Sequence, residues 1–171
     1  MSLKVYTGLP ASGKTSAIIS EMEIRENAGG KVLLILSSEH EELTRRPNVR
    51  PQGLMGCRDK SKSHQIDDVI DSHEAAKLLE AQVPGTLVVF DEAQYFQPDL
   101  VHAWQQAVER GVDILVGTPS KDQLNRLEEI SHELVEMKVA CTCGAEESTH
   151  VVYKEDLVYP THLCNRCYEE H

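Results

Sequence analysis

Gly8-Leu9-Pro10-Ala11-Ser12-Gly13-Lys14-Thr15 is the stretch that decides the fold, because it has the phosphate-loop pattern Gly-x-x-x-x-Gly-Lys-Thr without a gap. Gly8 and Gly13 permit backbone angles and close approaches that a Cβ would block, so that successive N–H groups can point at a phosphate. Lys14 can reach the β- and γ-phosphates, and the Thr15 hydroxyl can bind Mg²⁺. These residues therefore predict a binding site for a nucleoside triphosphate.

The neighbours of this stretch support the same prediction. Residues 3–7 form a short run typical of a strand, and residues 14–28 have a helical pattern. A phosphate bound here would lie at a helix N-terminus, where unpaired N–H groups and the helix dipole favour anions. The alternative, a chance Gly-Lys-Thr in a loop, does not explain the strand before it and the helix after it.

The composition indicates one main domain with room for a small appendage. The chain has 171 residues, of which 40% are hydrophobic and 26% are charged, which is enough for one sizeable core. Its formal net charge of −11 argues against broad binding to nucleic acid or to an anionic membrane, since both need a basic surface. No apolar run is long enough to span a membrane, and the N-terminus lacks a signal-peptide pattern, so we expect a cytoplasmic protein.

Strand-like and helix-like segments alternate along the chain, which predicts an α/β fold with an open, mostly parallel sheet and helices on both faces. The predicted segments are strands at 31–36, 86–90 and 112–116 and helices at 72–82, with Ser72 as N-cap, and at 98–110. The stretch 37–67 has several prolines and glycines, many charges and no steady periodicity, so we predict a long loop there. Loops of this length often close over substrates, and Arg58 is our candidate for a contact with phosphates.

Two carboxylates follow a predicted strand directly. The apolar run 87–90 leads into Asp91-Glu92-Ala93-Gln94, and the carboxyl ends of strands are where open α/β sheets bind ligands. Asp91 would hold Mg²⁺ directly or through a water, and Glu92 is placed to take a proton from an attacking hydroxyl or water. A solvated acidic turn is the alternative. Together with the phosphate loop, however, the pair predicts a centre for phosphoryl transfer or triphosphate hydrolysis.

Four of the five cysteines lie near the end of the chain, in the pattern Cys141-x-Cys143 and Cys164-x-x-Cys167. Two such pairs resemble a zinc ribbon, whose thiolates hold a tetrahedral Zn²⁺ and stabilise a segment too small for a core of its own. The first pair has a one-residue spacer, so His150 or His162 could replace Cys141 as a ligand. Reduced cysteines without a metal are the alternative.

The order of these parts resembles the type II thymidine kinases over nearly the whole chain. The resemblance rests on the phosphate loop, on Asp91-Glu92-Ala93-Gln94-Tyr95-Phe96, on the strand at 111–117 and on the terminal Cys164-Asn165-Arg166-Cys167. It implies a RecA-like P-loop NTPase domain, which we assign to residues 1–138, and a small zinc-ribbon domain like the family's lasso at residues 139–171. The implied activity is transfer of the ATP γ-phosphate to the 5′-hydroxyl of thymidine, with Mg²⁺ accompanying ATP and a structural Zn²⁺ in the ribbon.

The resemblance also assigns roles to single residues. Glu92 falls on the family's catalytic base, and Lys14 and Thr15 fall on its phosphate and magnesium contacts. The candidate contacts to the substrate are Gln94, Tyr95, Phe96 and Tyr159. Because the family is typically tetrameric, the resemblance implies a homo-oligomer that binds ATP and a small nucleoside.

The chain departs from the family on the nucleoside side of the predicted cleft. Ser37-Ser38-Glu39-His40-Glu41 replaces the family's Asp-x-Arg segment, and the stretch 117–122 replaces an Asp and a Phe beside the thymine pocket. Two alternatives to a thymidine kinase follow: a kinase for another or modified nucleoside, and an ATP-binding switch or partner-binding module without catalysis. Glu92 favours catalysis, since a pure binding module has no chemical need for a carboxylate beside the magnesium ligand.

Overall fold

The computed structural model describes residues 1–39, 49–50, 53–57, 61–119, 127–144, 147–153 and 160–170. The strands, in chain order, are β1 (Leu3–Gly8), β2 (Val32–Ser37), β3 (Val49–Arg50), β4 (Leu54–Gly56), β5 (Ser63–Gln65), β6 (Asp68–Ile70), β7 (Leu87–Phe90), β8 (Asp113–Gly117), β9 (Glu133–Met137), β10 (His150–Val152) and β11 (Thr161–Leu163). The helices are α1 (Lys14–Asn27), α2 (Ser72–Glu80), α3 (Leu100–Glu109), α4 (Leu127–Ile130) and α5 (Asn165–Glu169).

The main sheet of the described chain has six strands in the order β6-β2-β7-β8-β1-β9, and every pair in it is parallel. The inner strand β7 is buried at every position, as is typical of parallel strands that helices cover on both sides. Because all these strands run the same way, the phosphate loop after β1 and the carboxylates after β7 lie at one edge of the sheet. The predicted α/β fold with a parallel sheet is confirmed.

Side chains that alternate along the inner strands pack against helices on the two faces of this sheet. Val88 and Phe90 share a core with α2 and α3, where Trp104 is fully buried and its ring lies 5.2 Å from that of Phe90, centre to centre. Leu87 and Val89 share a second core with α1. Helices therefore cover both faces, as predicted.

The prediction of a long loop over 37–67 is wrong for its described part. β3, β4 and β5, which lie within this stretch, form a small antiparallel sheet. Directly after the stretch, β6 joins the main sheet beside β2. Met55 on β4 is fully buried and belongs to the core under α1, so burial of this side chain fixes the small sheet to the domain. These strands have only two or three residues each, too few for alternation to be recognised in the sequence.

The start of α2 also differs from the prediction. Asp71, not Ser72, is the N-cap: its carboxylate accepts a hydrogen bond from the Glu74 N–H (2.8 Å), and the Glu74 carboxylate accepts one from the Asp71 N–H (3.2 Å). This reciprocal arrangement is a capping box. Ser72 is buried, and its hydroxyl accepts a hydrogen bond from the Gln97 N–H (2.8 Å).

The C-terminal segment consists of the antiparallel pair β10–β11 and the short helix α5. In the part of it that the structure describes, the buried apolar cluster is small and contains two of the cysteines. So little buried surface does not stabilise a segment by itself. The boundary between residues 138 and 139 stays a prediction.

Within the described ranges, the helices are all too short or too polar to cross a membrane.

Candidate active site and metal centre

The phosphate loop leaves β1 at Gly8 and enters α1 after Gly13. Gly8 has φ of 137°, and a Cβ there would run into the carbonyl oxygen of Met137 on the neighbouring β9, so that only glycine fits. Gly13, with φ of 94°, turns the chain into the helix. A hydrogen bond from the Ser12 N–H to the Leu9 carbonyl (3.1 Å) closes the turn between the two glycines.

Lys14 lies inside this loop and is largely buried. Its ammonium group donates hydrogen bonds to the carbonyl oxygens of Gly8 (2.8 Å) and Leu9 (2.9 Å). Burial lowers the pKa of Lys14, and attraction to Glu92 and Asp91 opposes this shift. The carbonyl oxygens of the loop therefore hold the ammonium group of Lys14. The oxygens of a bound phosphate could replace them as acceptors of its hydrogen bonds.

Asp91 and Thr15 are brought together from positions 76 residues apart. The Thr15 hydroxyl donates a hydrogen bond to the Asp91 carboxylate at 3.2 Å, and Asp91 is almost fully buried. Burial and repulsion from Glu92 raise the pKa of Asp91 to about 7, against the opposing effects of Thr15 and Lys14. Because burial disfavours the charged carboxylate, a bound cation would stabilise it. The adjacent hydroxyl and carboxylate provide the oxygen donors that Mg²⁺ prefers.

Glu92 follows in a left-handed conformation, with φ of 55° and ψ of 43°. Its carboxylate accepts a hydrogen bond from the side-chain amide of Gln94, and its carbonyl accepts one from the Tyr95 N–H (3.1 Å). The carbonyl oxygen of the Gln94 side chain is buried, and among the described residues it has no hydrogen-bond partner. The strained backbone and the amide together fix the carboxylate immediately beside Asp91.

Tyr95 and Phe96, two further predicted site residues, follow Gln94 directly in the chain. Phe96 is buried in the core, edge-on to Phe90 at 5.4 Å between ring centres, and Tyr95 is half-buried. The Ser37 hydroxyl at the end of β2 donates a hydrogen bond to the Tyr95 carbonyl (2.8 Å). Arg58 and Tyr159 lie outside the described residues, so their predicted contacts stay predictions.

Glu39, in the segment predicted to lie on the nucleoside side of the site, bonds to the start of α2. Its two carboxylate oxygens accept hydrogen bonds from the backbone N–H and the hydroxyl of Ser72, both at 3.1 Å. In the same segment, the Glu39 N–H donates to the Ser37 hydroxyl oxygen (3.1 Å). Of the segment that replaces the Asp-x-Arg pattern, the Ser37 and Glu39 side chains are therefore occupied with contacts inside the protein, whereas His40 and Glu41 lie outside the described residues.

The four C-terminal cysteines form one cluster. The sulfur atoms of Cys141, Cys143, Cys164 and Cys167 all lie within 4.8 Å of one another. A hydrogen bond from the Cys143 N–H lowers the pKa of Cys141 to about 6, while hydrogen bonding to the neighbouring thiols raises the pKa of Cys167 to about 12. Four sulfur donors at such separations fit the tetrahedral coordination of Zn²⁺.

The two alternative ligands, His150 and His162, make hydrogen bonds elsewhere. The Nε2 atom of His150 lies 2.8 Å from the side-chain oxygen of Asn165, and its ring stacks on that of Tyr168. The Nε2 atom of His162 lies 2.9 Å from the carbonyl oxygen of Pro10. Among the described residues, the clustered metal-binding groups are thus the cysteines alone.

Met137 and His162 also lie beside the phosphate loop, and nothing in the sequence indicates this. Both are far from it in the chain and carry no motif. The run 133–137 has only Val135 and Met137 partly buried on one face, a period-two pattern too short to predict β9. His162 was notable only as a possible zinc ligand.

This sheet, with a phosphate loop after β1 and a buried aspartate after β7, defines the fold of a P-loop NTPase. Solved structures agree. A RuvB mutant of Thermotoga maritima has 11% identity and a TM-score of 0.51, covering 82% of this chain and 39% of its own. The genome-packaging NTPase B204 of Sulfolobus turreted icosahedral virus 2, in complex with sulfate, has 16% identity and a TM-score of 0.51, covering 79% of this chain and 72% of its own. At these identities the likeness shows the fold alone.

The family model for thymidine kinase matches residues 1–168. The chain therefore belongs to the thymidine kinase family, as its motifs indicate. It spans about two fifths of the length of the RuvB chain. No match was found among curated proteins. The family and the fold together support a nucleoside kinase or ATP-binding role.

Proposed function

We propose that this protein is an ATP-dependent kinase that phosphorylates the 5′-hydroxyl of thymidine or a related deoxynucleoside. The observation that carries the proposal is the hydrogen bond between Thr15 and Asp91, which joins the phosphate loop to the carboxylate pair at the edge of the sheet. Glu92 then lies beside the residues proposed to bind Mg²⁺. An enzyme that transfers a phosphoryl group needs this combination of cation, metal ligands and nearby base.

Each residue has one part in the proposed reaction. The N–H groups that the loop 8–13 has free, to which Pro10 contributes none, and the ammonium of Lys14 would bind the phosphates. Thr15 and Asp91 would hold Mg²⁺, which would neutralise charge on the phosphates. Glu92 accepts the proton of the attacking 5′-hydroxyl. A bond forms between that oxygen and the γ-phosphorus as the bond from the γ-phosphorus to the β,γ-bridging oxygen breaks, and ADP leaves.

The nucleoside specificity is proposed to differ from that of relatives. The side-chain oxygen of Gln94, which has no hydrogen-bond partner within the described part of the chain, is proposed as an acceptor for an N–H or O–H group of the nucleoside. Glu39, in the segment that replaces the family's Asp-x-Arg, binds instead to Ser72. This observation favours a second candidate function, a kinase for another or modified nucleoside with the same phosphate chemistry.

The test is transfer of phosphate from Mg²⁺-ATP to a panel of deoxynucleosides that begins with thymidine. Glu92→Gln removes the base with little change of shape, and Lys14→Ala removes the cation of the loop. Glu80→Gln, an exposed glutamate at the end of α2, serves as the matched control. We expect a loss of at least about 100-fold in kcat for Glu92→Gln and wild-type activity for the control.

The outcomes separate the candidates. Transfer to thymidine that is lost in Glu92→Gln and Lys14→Ala supports the family activity in this chain. Transfer only to another nucleoside keeps the mechanism and changes the substrate. If the protein binds ATP tightly but transfers phosphate to none of the nucleosides, the kinase proposal is refuted. An ATP-binding switch or partner-binding module then remains.

We also propose a homo-oligomer and a cytoplasmic location. The tetramer of relatives supports the first, and light scattering coupled to gel filtration tests it. The second is supported by the five cysteines, none of which forms a disulfide, because a reducing compartment keeps thiols available for a metal.

A further inference from the structure

We propose that His162, in the C-terminal ribbon, is a positioning residue for the phosphate loop. Its Nε2 atom lies 2.9 Å from the carbonyl oxygen of Pro10, across 152 positions of sequence. A carbonyl oxygen only accepts hydrogen bonds, so the bond requires the proton on Nε2 of the ring. The ribbon therefore makes direct contact with the loop that is proposed to bind ATP.

This hydrogen bond fixes the orientation of one peptide group. In a trans peptide the C=O and the following N–H point in opposite directions. With the Pro10 carbonyl directed at His162, the N–H of Ala11 points away from the ribbon. Ala11 itself has φ of 61°, which is unfavourable for a residue with a Cβ. The bond from His162 opposes relaxation of this strained turn and keeps its N–H groups in place for an anion.

Contacts around the four-cysteine cluster in turn hold His162. The carbonyl of His162 accepts a hydrogen bond from the Thr142 N–H (3.0 Å), between the first two cysteines. On the other side of β11, His162 pairs with Val151 of β10, and Cys164 follows two residues later. Zn²⁺ bound by the four cysteines would thus hold the strand that carries His162 in place. Metal binding in the ribbon would then affect the conformation of the phosphate loop through the hydrogen bond from His162 to Pro10.

The inference rests on the proposed binding of ATP by the loop and concerns affinity more than chemistry. Since His162 bonds to the loop and not to the reacting atoms, its loss should raise the KM and the Kd for Mg²⁺-ATP while kcat at saturation stays near wild type. The loss of one such hydrogen bond corresponds to about a three- to tenfold weaker affinity.

Three variants of the full chain make the test. His162→Phe keeps a ring and removes the donor, and His162→Gln keeps an N–H donor at similar reach. His150→Phe is the matched control, because His150 lies on the partner strand and bonds to Asn165, not to the loop. For each variant, calorimetry gives the Kd for Mg²⁺-ATP, hydrogen exchange reports on the backbone amides of residues 9 and 11–13 without nucleotide, and zinc content reports whether the ribbon is intact.

We expect His162→Phe to bind Mg²⁺-ATP about three- to tenfold more weakly and to exchange the loop amides faster with unchanged zinc content. His162→Gln and His150→Phe should resemble wild type in both readouts. Unchanged affinity and exchange in His162→Phe would overturn the proposal, as would an equal effect in His150→Phe. If the wild type binds no ATP, the proposed function fails, but the hydrogen exchange without nucleotide still decides the role of His162.

Removal of zinc by a chelator adds a second arm. In the wild type it should speed exchange at the amides of residues 9 and 11–13, whereas in His162→Phe it should add little, because the connection is already broken. Equal additional effects of the chelator in both proteins would mean that the ribbon does not act through His162.

Discussion

The backbone at position 92 is left-handed although the residue there has a Cβ. This conformation is unfavourable for an L-residue by about 1–2 kcal/mol, and glycine adopts it without that penalty. We therefore predict that Glu92→Gly exceeds Glu92→Ala by about 1 kcal/mol in the free energy of unfolding, the reverse of the usual order of glycine and alanine. Urea unfolding of the two variants measures the difference.

Both variants lack the carboxylate, so both should lose phosphoryl transfer. The pair thereby separates the effect on stability from the effect on chemistry. An alanine variant as stable as the glycine variant would be incompatible with a left-handed backbone at Glu92.

The buried carboxyl of Asp91 predicts a pH dependence of stability. The folded protein keeps this proton up to about pH 7, whereas an unfolded aspartate loses it near 3.8. Between these values the folded state binds more protons, so the contribution of Asp91 to the free energy of unfolding falls as the pH rises. Asp91→Asn cannot ionise. Its stability relative to wild type should therefore increase across this window, by up to about 4 kcal/mol.

Urea unfolding between about pH 4 and pH 8, without nucleotide or Mg²⁺, measures this difference. Asp99→Asn replaces an exposed aspartate and should follow the wild type throughout. A constant difference between Asp91→Asn and wild type would show that Asp91 titrates alike in the folded and unfolded chain.

At the residue scale, the sequence predicts what is local. Lys14 and Thr15 are recognisable because one contiguous loop needs both of them, and Asp91 with Glu92 because a buried strand ends there. His162 could not be predicted near Pro10, since nothing in a single histidine encodes a contact across the whole chain. The hydrogen bond to Gln94 and the backbone of Glu92 likewise depend on geometry that the motif does not contain.

At the element scale, the capping box of α2 gives a prediction. Asp71→Ala removes the acceptor for the Glu74 N–H and should lower the free energy of unfolding by about 1 kcal/mol, whereas Asp71→Ser should retain most of it. Thermal and urea unfolding of both variants make the comparison. Equal losses in the two would assign the effect to something other than the cap.

The same scale shows where prediction from sequence ends. Strands such as β2 and β7 were predictable because burial on both faces gives continuous apolar runs. β6 and β9 lie at the edges of the main sheet, where a side chain meets solvent on one side and the apolar pattern is weak. Serine is a residue type that N-caps favour, which explains the prediction of Ser72. Asp71 with Glu74 three residues later has the spacing of a capping box, and this pattern predicts the observed N-cap better.

At the scale of the whole molecule, two parts with different sources of stability are in contact. The main sheet has a large core on each face, whereas the described ribbon has a few apolar side chains around its cysteines. Burial of apolar surface stabilises the first part. We expect the second to depend on a metal that offsets the loss of conformational entropy on folding, so that loss of metal should affect the ribbon first.

We predict that the protein binds about one Zn²⁺ per chain through four thiolates. Cys141→Ser and Cys164→Ser should each lose the metal, and limited proteolysis should then cut the ribbon while the main sheet resists, because the core of the sheet does not depend on the cluster. Cys57→Ser lies in the other part of the molecule and should keep both the metal and the resistance. Metal analysis by mass spectrometry, together with proteolysis, measures these outcomes.

Zinc that is retained in Cys141→Ser but lost in Cys164→Ser would show that another group replaces Cys141 as a ligand. His150 would be the first candidate, because it bonds to Asn165 between the cysteines of the second pair.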